Sequence, residues 1–234
     1  MLTALLIVAA PVEIVSSSPA LDFRYRWSAE AAAVPALDRR FRREAAKLKA
    51  KWLKDGREYL VIREKMGGGA VGYMLSVDWT TAGSTPRLLS LERASANFSG
   101  GAHGNSGTSS LLWDRRLARE VKLDALLLRP GWWNGAIRQP FCTLLDRERA
   151  KRRQEQVKRG EWPNQCPELK DLTLTLEDKD RDRRFDHLSV TADPYVAGAY
   201  AEGEYVISLP LTAAMLARLK PEYRASFEAQ PPVQ

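Results

Sequence analysis

The residues best suited to chemistry lie in one short stretch, Phe98-Ser99-Gly100-Gly101-Ala102-His103-Gly104-Asn105, with Ser106, Ser110 and Trp113-Asp114 close behind. A histidine near a serine and an aspartate has the makings of an acyl-transfer triad, in which imidazole takes the serine proton and the carboxylate orients the ring. No G-x-S-x-G nucleophile elbow exists in the chain, however, and serines are ordinary residents of glycine-rich turns. Glycines at 100, 101 and 104 mean that the backbone there either turns through conformations closed to other residues or packs too tightly for a Cβ. His103 therefore reads first as a ring that fixes a turn, then as a ligand contact, and last as a general base. Phe98 and Trp113 beside it make either a stacking face for a sugar ring or part of the core.

Metal chemistry has little to work with. His103 and His187 are the only histidines, in unlike contexts and without helical ligand spacing, so a deacetylase site of one aspartate and two histidines is not assembled. Asp178, Asp180, Asp182 and Asp186 alternate as in a calcium loop, but Arg183 stands where such a loop needs glycine and Ser189 where it needs glutamate. A solvated hairpin turn is the preferred reading, and no metal or cofactor is expected. Arg149, Arg152, Arg153 and Lys158, in a basic run, make either a solvated helix face or a patch for an anionic polymer.

Two helix-then-strands halves must position these residues. Leu21–Trp27 alternates as a strand, and Leu37, Phe41, Ala45, Leu48 and Trp52 recur at helical spacing from Pro35 to about Asp55, with Gly56 as a plausible stop. Tyr73–Trp79, Arg87–Ser95 and Thr108–Asp114 then read as an antiparallel meander whose outer turn is the His103 loop. A second helix starts at Pro130, carries Trp133, Ile137, Phe141, Leu144 and Leu145, and ends near Gly160. Leu172–Leu176, Phe185–Ala192 and Glu204–Leu209 alternate again, before a short helix from Thr212 to about Leu219. Of the adjacent pair Trp132-Trp133, one ring should enter the core and the other stay partly exposed. The expected class is α+β: a single compact domain with two antiparallel sheets or lobes, each preceded by a long helix, at 21–128 and 129–234.

Residues 1–20 differ from the rest. Leu2–Ala10 is apolar but too short to span a bilayer, and Ser18-Pro19-Ala20 offers the small residues a signal peptidase reads, so 1–20 is expected to be a secretory signal, with a buried N-terminal strand as the alternative. No later stretch reads as membrane-spanning. Cys142 and Cys166, the only cysteines, fit one structural disulfide in an exported protein or two buried thiols otherwise. The chain carries 36 Lys and Arg against 29 Asp and Glu, net +7, which suits an anionic partner. Nucleic acid is disfavoured by the export signal.

Ser99–Asn105 followed by Leu112-Trp113-Asp114, and Ala192-Asp193-Pro194-Tyr195 running on to Tyr200-Ala201-Glu202-Gly203-Glu204-Tyr205, together resemble the two signature blocks of the exported PdaC/RsiV-like domain family. That resemblance implies an α+β module outside the cytoplasm, related to the extracellular region of a lysozyme-sensing anti-sigma factor and to the non-catalytic module of a peptidoglycan deacetylase. The implied role is non-enzymatic: a periplasmic or secreted binding module whose partner is a cell-wall glycan or a wall-acting enzyme such as lysozyme. Expected ligand contacts are Gly101, His103, Asn105, Trp113, Tyr195, Tyr200, Glu202 and Tyr205. The alternative is a cell-wall carbohydrate esterase or hydrolase using His103.

Overall fold

A computed structural model describes residues 9–69, 71–158, 160 and 162–232. The α+β class holds. Strands β1 (Val12–Ser18) and β2 (Leu21–Trp27) lead through α1 (Ala29–Ala32) and α2 (Pro35–Lys65) to β3 (Tyr73–Ser84), β4 (Leu88–Phe98), β5 (Asn105–Asp114) and β6 (Arg119–Val121). Helix α3 (Trp132–Arg153) then precedes β7 (Thr173–Glu177), β8 (His187–Ala192), β9 (Tyr205–Pro210) and α4 (Ala213–Leu216). One sheet has the order β1-β2-β3-β4-β5-β6 and the other β7-β8-β9.

The second sheet is antiparallel throughout. The first is mixed, because β2 and β3 pair in parallel with Leu21 opposite Tyr73 and Trp27 opposite Trp79. A parallel pair needs a long crossover, and α1 with α2 supplies it. The connections β3–β4 and β4–β5 are too short for any but antiparallel pairing.

By contacts the chain forms two compact units that are not consecutive halves. The first comprises the chain up to Thr81 with Arg93–Ser106, the second Ala82–Glu92 with Gly107 onward. The expected division at residue 128 thus gives way to one in which β3, β4 and β5 each contribute to both units. In the first unit Tyr25, Trp27, Phe41 and Trp79 are buried together, Phe41 stacked on Trp79 at 4.9 Å and the Trp79 indole N–H donating to the Tyr25 hydroxyl at 3.0 Å. Burial, with Glu44 adding to it, pushes the Tyr25 phenol well above its usual range. In the second unit Trp133, Ile137, Phe141 and Leu145 of α3 pack with Leu188, Val190, Tyr205 and Ile207 of the small sheet. Trp132 beside Trp133 stays partly exposed, under the Arg218 guanidinium at 5.5 Å.

Two sequence expectations need correction. The apolar half of the expected leader falls on residues 1–8, outside the described residues, but Val12–Ser18 is a strand paired along its whole length with β2. The hairpin turns at Pro19-Ala20, and the Ala20 carbonyl accepts from the Tyr73 N–H at 3.0 Å. A chain cut after Ala20 would lose this strand, so 1–20 is not a dispensable segment of the fold. Nor does α2 stop at Gly56. A Cβ there would lie 2.3 Å from the Ala20 carbonyl oxygen, so the glycine marks a close approach, and the helix continues to Lys65. Among the described residues no helix is long and apolar enough to cross a membrane.

Candidate functional site

The His103 loop joins β4 to β5 in the first unit. Gly100 and Gly101 have φ of 88° and 97°, the left-handed region that lets the chain reverse within so few residues. A Cβ on Gly100 would also stand 3.1 Å from the Tyr59 ring, so the loop lies directly against α2. Gly101, His103 and Asn105 are exposed, and His103 Nδ1 lies 2.7 Å from the Gly104 carbonyl oxygen.

Of the other members of the supposed triad, Ser106 falls in the first unit with His103, and Ser110 and Asp114 in the second. Asp114 belongs to the second unit and is fully buried, its carboxylate accepting from the Arg116 and Leu117 N–H groups at 2.9 and 3.0 Å and from Arg87 at 3.1 and 3.2 Å. Burial alone would raise its pKa, but the Leu117 N–H and Arg87 outweigh it and hold the carboxyl below the usual range. Asp114 therefore anchors the β5–β6 turn. Trp113, expected as a ligand contact, is 7% exposed and belongs to the core.

The second block, in the second unit, does present a face. Tyr195 has φ of 72°, uncommon for a residue with a bulky side chain, and the residue is 53% exposed. It lies 5.5 Å from the Tyr200 ring at an interplanar angle of 34°. Trp162, itself 52% exposed, donates its indole N–H to the Tyr195 carbonyl at 3.3 Å and extends the aromatic surface.

Beneath this face sits a charged support. Glu202 accepts from the Ala199 N–H at 2.9 Å, from Arg153 at 2.8 and 3.2 Å, and from the Tyr205 hydroxyl. Burial works against the charge, but Arg153 and then Tyr205 and Ala199 prevail and hold Glu202 below the usual carboxylate range. A Cβ on Gly198 would meet the Glu202 carboxylate at 2.8 Å, so the loop passes close over that side chain. Tyr205 is fully buried with the Arg152 guanidinium 4.1 Å over its ring. Tyr205, expected to touch ligand, is instead fully buried, while Glu202 is partly buried and bound to Arg153 and Tyr205. Asp193, at the start of the block, ties it to β5 by accepting the Thr108 N–H with both oxygens at 3.0 Å.

The basic run of α3 supports the same block. Arg149 is completely buried and donates to the carbonyls of Ala197, Asn164 and Gln165 and to Asp146. Arg152 donates to the carbonyls of Glu202 and Glu204 at 2.9 and 2.7 Å. Of the four cations considered for an anionic patch, Arg149, Arg152 and Arg153 are thus engaged within the block, and Lys158 is exposed. The disulfide Cys142–Cys166, with Cα atoms 5.6 Å apart, fastens the segment that carries Asn164 and Gln165 to α3.

Trp162 was not legible in the sequence, and Arg149 was read there only as part of a solvated helix face or an anionic-polymer patch. Trp162 stands alone among polar residues with no period to flag it, and Arg149 is disguised within a run of charges, its one signal being Asp146 a turn earlier. Asp178, Asp180 and Asp182 do converge, with one carboxylate oxygen from each within 4.8 Å of the others, on the β7–β8 hairpin. Arg184 pairs with Asp182, and the Arg183 N–H binds Asp178 at 3.1 Å, as in a self-contained turn.

No protein-family profile and no curated protein matches the chain. Solved structures do. A DUF3298 family protein from Pseudomonas aeruginosa aligns over 95% of this chain and 98% of its own at a TM-score of 0.55 and 15% identity. A DUF3298 family member from Bacteroides fragilis aligns over 94% and 98% at a TM-score of 0.53 and 16% identity. At such identities the likeness is one of fold: the chain has the α+β fold of these DUF3298 structures.

Proposed function

We propose that the protein is a non-enzymatic binding module of the cell envelope, exported from the cytoplasm, that holds a cell-wall glycan on the face formed by Tyr195, Tyr200 and Trp162. The observation that carries this reading is Tyr195 itself. A tyrosine at φ of 72° is strained, yet its ring is spent on solvent and on a neighbouring tyrosine rather than on the core. Strain that does not improve packing is accounted for when the ring stacks on a ligand. Sugar rings suit such a face, because their C–H surfaces lie on aromatic planes while their hydroxyls stay hydrated. The resemblance of both sequence blocks to the PdaC/RsiV-like family, and the net charge of +7 beside an anionic wall, favour the same partner.

Retention on purified peptidoglycan tests this reading. Tyr195→Ala and Tyr200→Ala should each weaken retention by about tenfold, the equivalent of one lost aromatic contact. Unchanged retention in both folded variants would refute it. Calorimetry against lysozyme distinguishes a wall-acting protein partner, which would bind in solution without any glycan. His103→Ala and His103→Gln should both retain peptidoglycan normally.

A further inference from the structure

The glycine-rich loop also walls a groove that the proposed face does not include. The groove runs along α2 in the first unit, has a volume of about 460 Å³, and is lined by Lys51, Trp52, Asp55, Glu58, Tyr59, Ile62 and Tyr73. Ser99 of the loop completes it, and Gly100 holds the loop against the Tyr59 ring. The volume is within the range of small-ligand sites, roughly 300–1,000 Å³.

Three rings form its floor. Trp52 meets Tyr73 edge-on with centroids 5.8 Å apart, and Tyr59 lies 5.1 Å from Tyr73 at 38°. All three rings are partly exposed, and Ile62, 56% exposed, continues the apolar floor. The carboxylates are already neutralised by lysines four residues earlier, Lys51 with Asp55 at 2.5 Å and Lys54 with Glu58 at 3.9 Å. An ion-paired carboxylate keeps lone pairs for further donors but attracts a second cation only weakly. An anion would face Asp55 and Glu58, and the one lining cation, Lys51, is already held by Asp55. What remains is an uncharged ligand with apolar faces for the rings and several hydroxyl or amide donors for the carboxylates.

We propose that this groove is a second glycan site, taking a short uncharged, hydroxyl-rich sugar segment stacked on Trp52, Tyr59 and Tyr73. It shares its ligand class with the face at Tyr195 but none of its residues, so the two stand or fall separately. The glycine-rich loop then has a purpose beyond turning the chain, since only a glycine at 100 brings Ser99 to the groove's rim.

The test is calorimetry with the tetramer of N-acetylglucosamine in the Tyr195→Ala protein, which lacks the other face. Saturable binding is expected to remain, and adding Trp52→Ala should raise Kd at least tenfold. Because Trp52→Ala also removes packing, Ile62→Glu serves as a second variant: its side chain is exposed, the fold tolerates it, and the new carboxylate obstructs the apolar end. The proposal is overturned if Tyr195→Ala protein binds no tetramer, or if both folded groove variants bind it as tightly as their parent. In either case peptidoglycan retention by the otherwise native chain still reports on the face alone.

Discussion

A left-handed backbone costs a residue with a side chain roughly 1–2 kcal/mol, and glycine almost nothing. Tyr195→Gly should therefore leave stability unchanged or raise it by up to about 1 kcal/mol in urea denaturation, while peptidoglycan retention falls. A loss of stability would instead make Tyr195 a packing residue. Glu202 beneath it gives a pH signature. Its folded carboxyl releases its proton more readily than an unfolded glutamate does, so its contribution is complete above the unfolded range near pH ~4.3 and disappears as pH falls through the lower folded value. Glu202→Gln should cost about 2 kcal/mol at pH 7, with the gap to the native chain closing as urea titrations move into that acid range. At this scale the sequence was a partial guide. His103 drew attention by its rarity among glycines, but rarity says nothing of orientation, and its Nδ1 lies against the Gly104 carbonyl of its own loop. Glu202 and Tyr205 sit in a distinctive motif, yet which of its members face solvent depends on Arg152 and Arg153, about fifty residues away in the chain.

Helix α3 is the element on which the second unit depends, because a disulfide and a buried guanidinium both fasten other segments to it. Reducing Cys142–Cys166 should lower stability by roughly 3 kcal/mol for a loop of this length, as read by denaturation with and without reductant. Arg149→Met removes donors from the buried Ala197 carbonyl, from two part-buried carbonyls and from a carboxylate, and should cost about 3–5 kcal/mol in the same measurement. The starts of both long helices were legible from apolar spacing, since Leu37, Phe41 and Ala45, and Trp133, Ile137 and Phe141, are the residues that become buried. The end of α2 was not. Glycine after an amphipathic run looks like a cap, and only the Ala20 carbonyl beside it reveals a helix interior. Gly56→Ala should therefore destabilise despite alanine's better helix propensity, by about 2 kcal/mol, because backbone has to shift.

Across the whole molecule the strands were legible one by one and their partners were not. Alternation marks β2 and β3 as strands, but their parallel pairing is decided by a crossover of more than forty residues, which no local pattern encodes. The division into units escaped for the same reason, since it cuts through β3, β4 and β5 instead of falling in a linker. At the N-terminus, apolar residues followed by small ones fit a leader and a strand equally, so the pattern alone does not choose between the two readings. A chain starting at Leu21 should accumulate in the insoluble fraction, as it leaves the edge of β2 bare. The hairpin that closes β1 onto β2 has a longer reach. Its Pro19 and Ala20 carbonyls press against Gly72 and Gly56, each at 2.3 Å from where a Cβ would be. Three segments are thereby bound into one evolutionary unit: among homologues, either glycine should be replaced only in lineages where the hairpin itself has changed length.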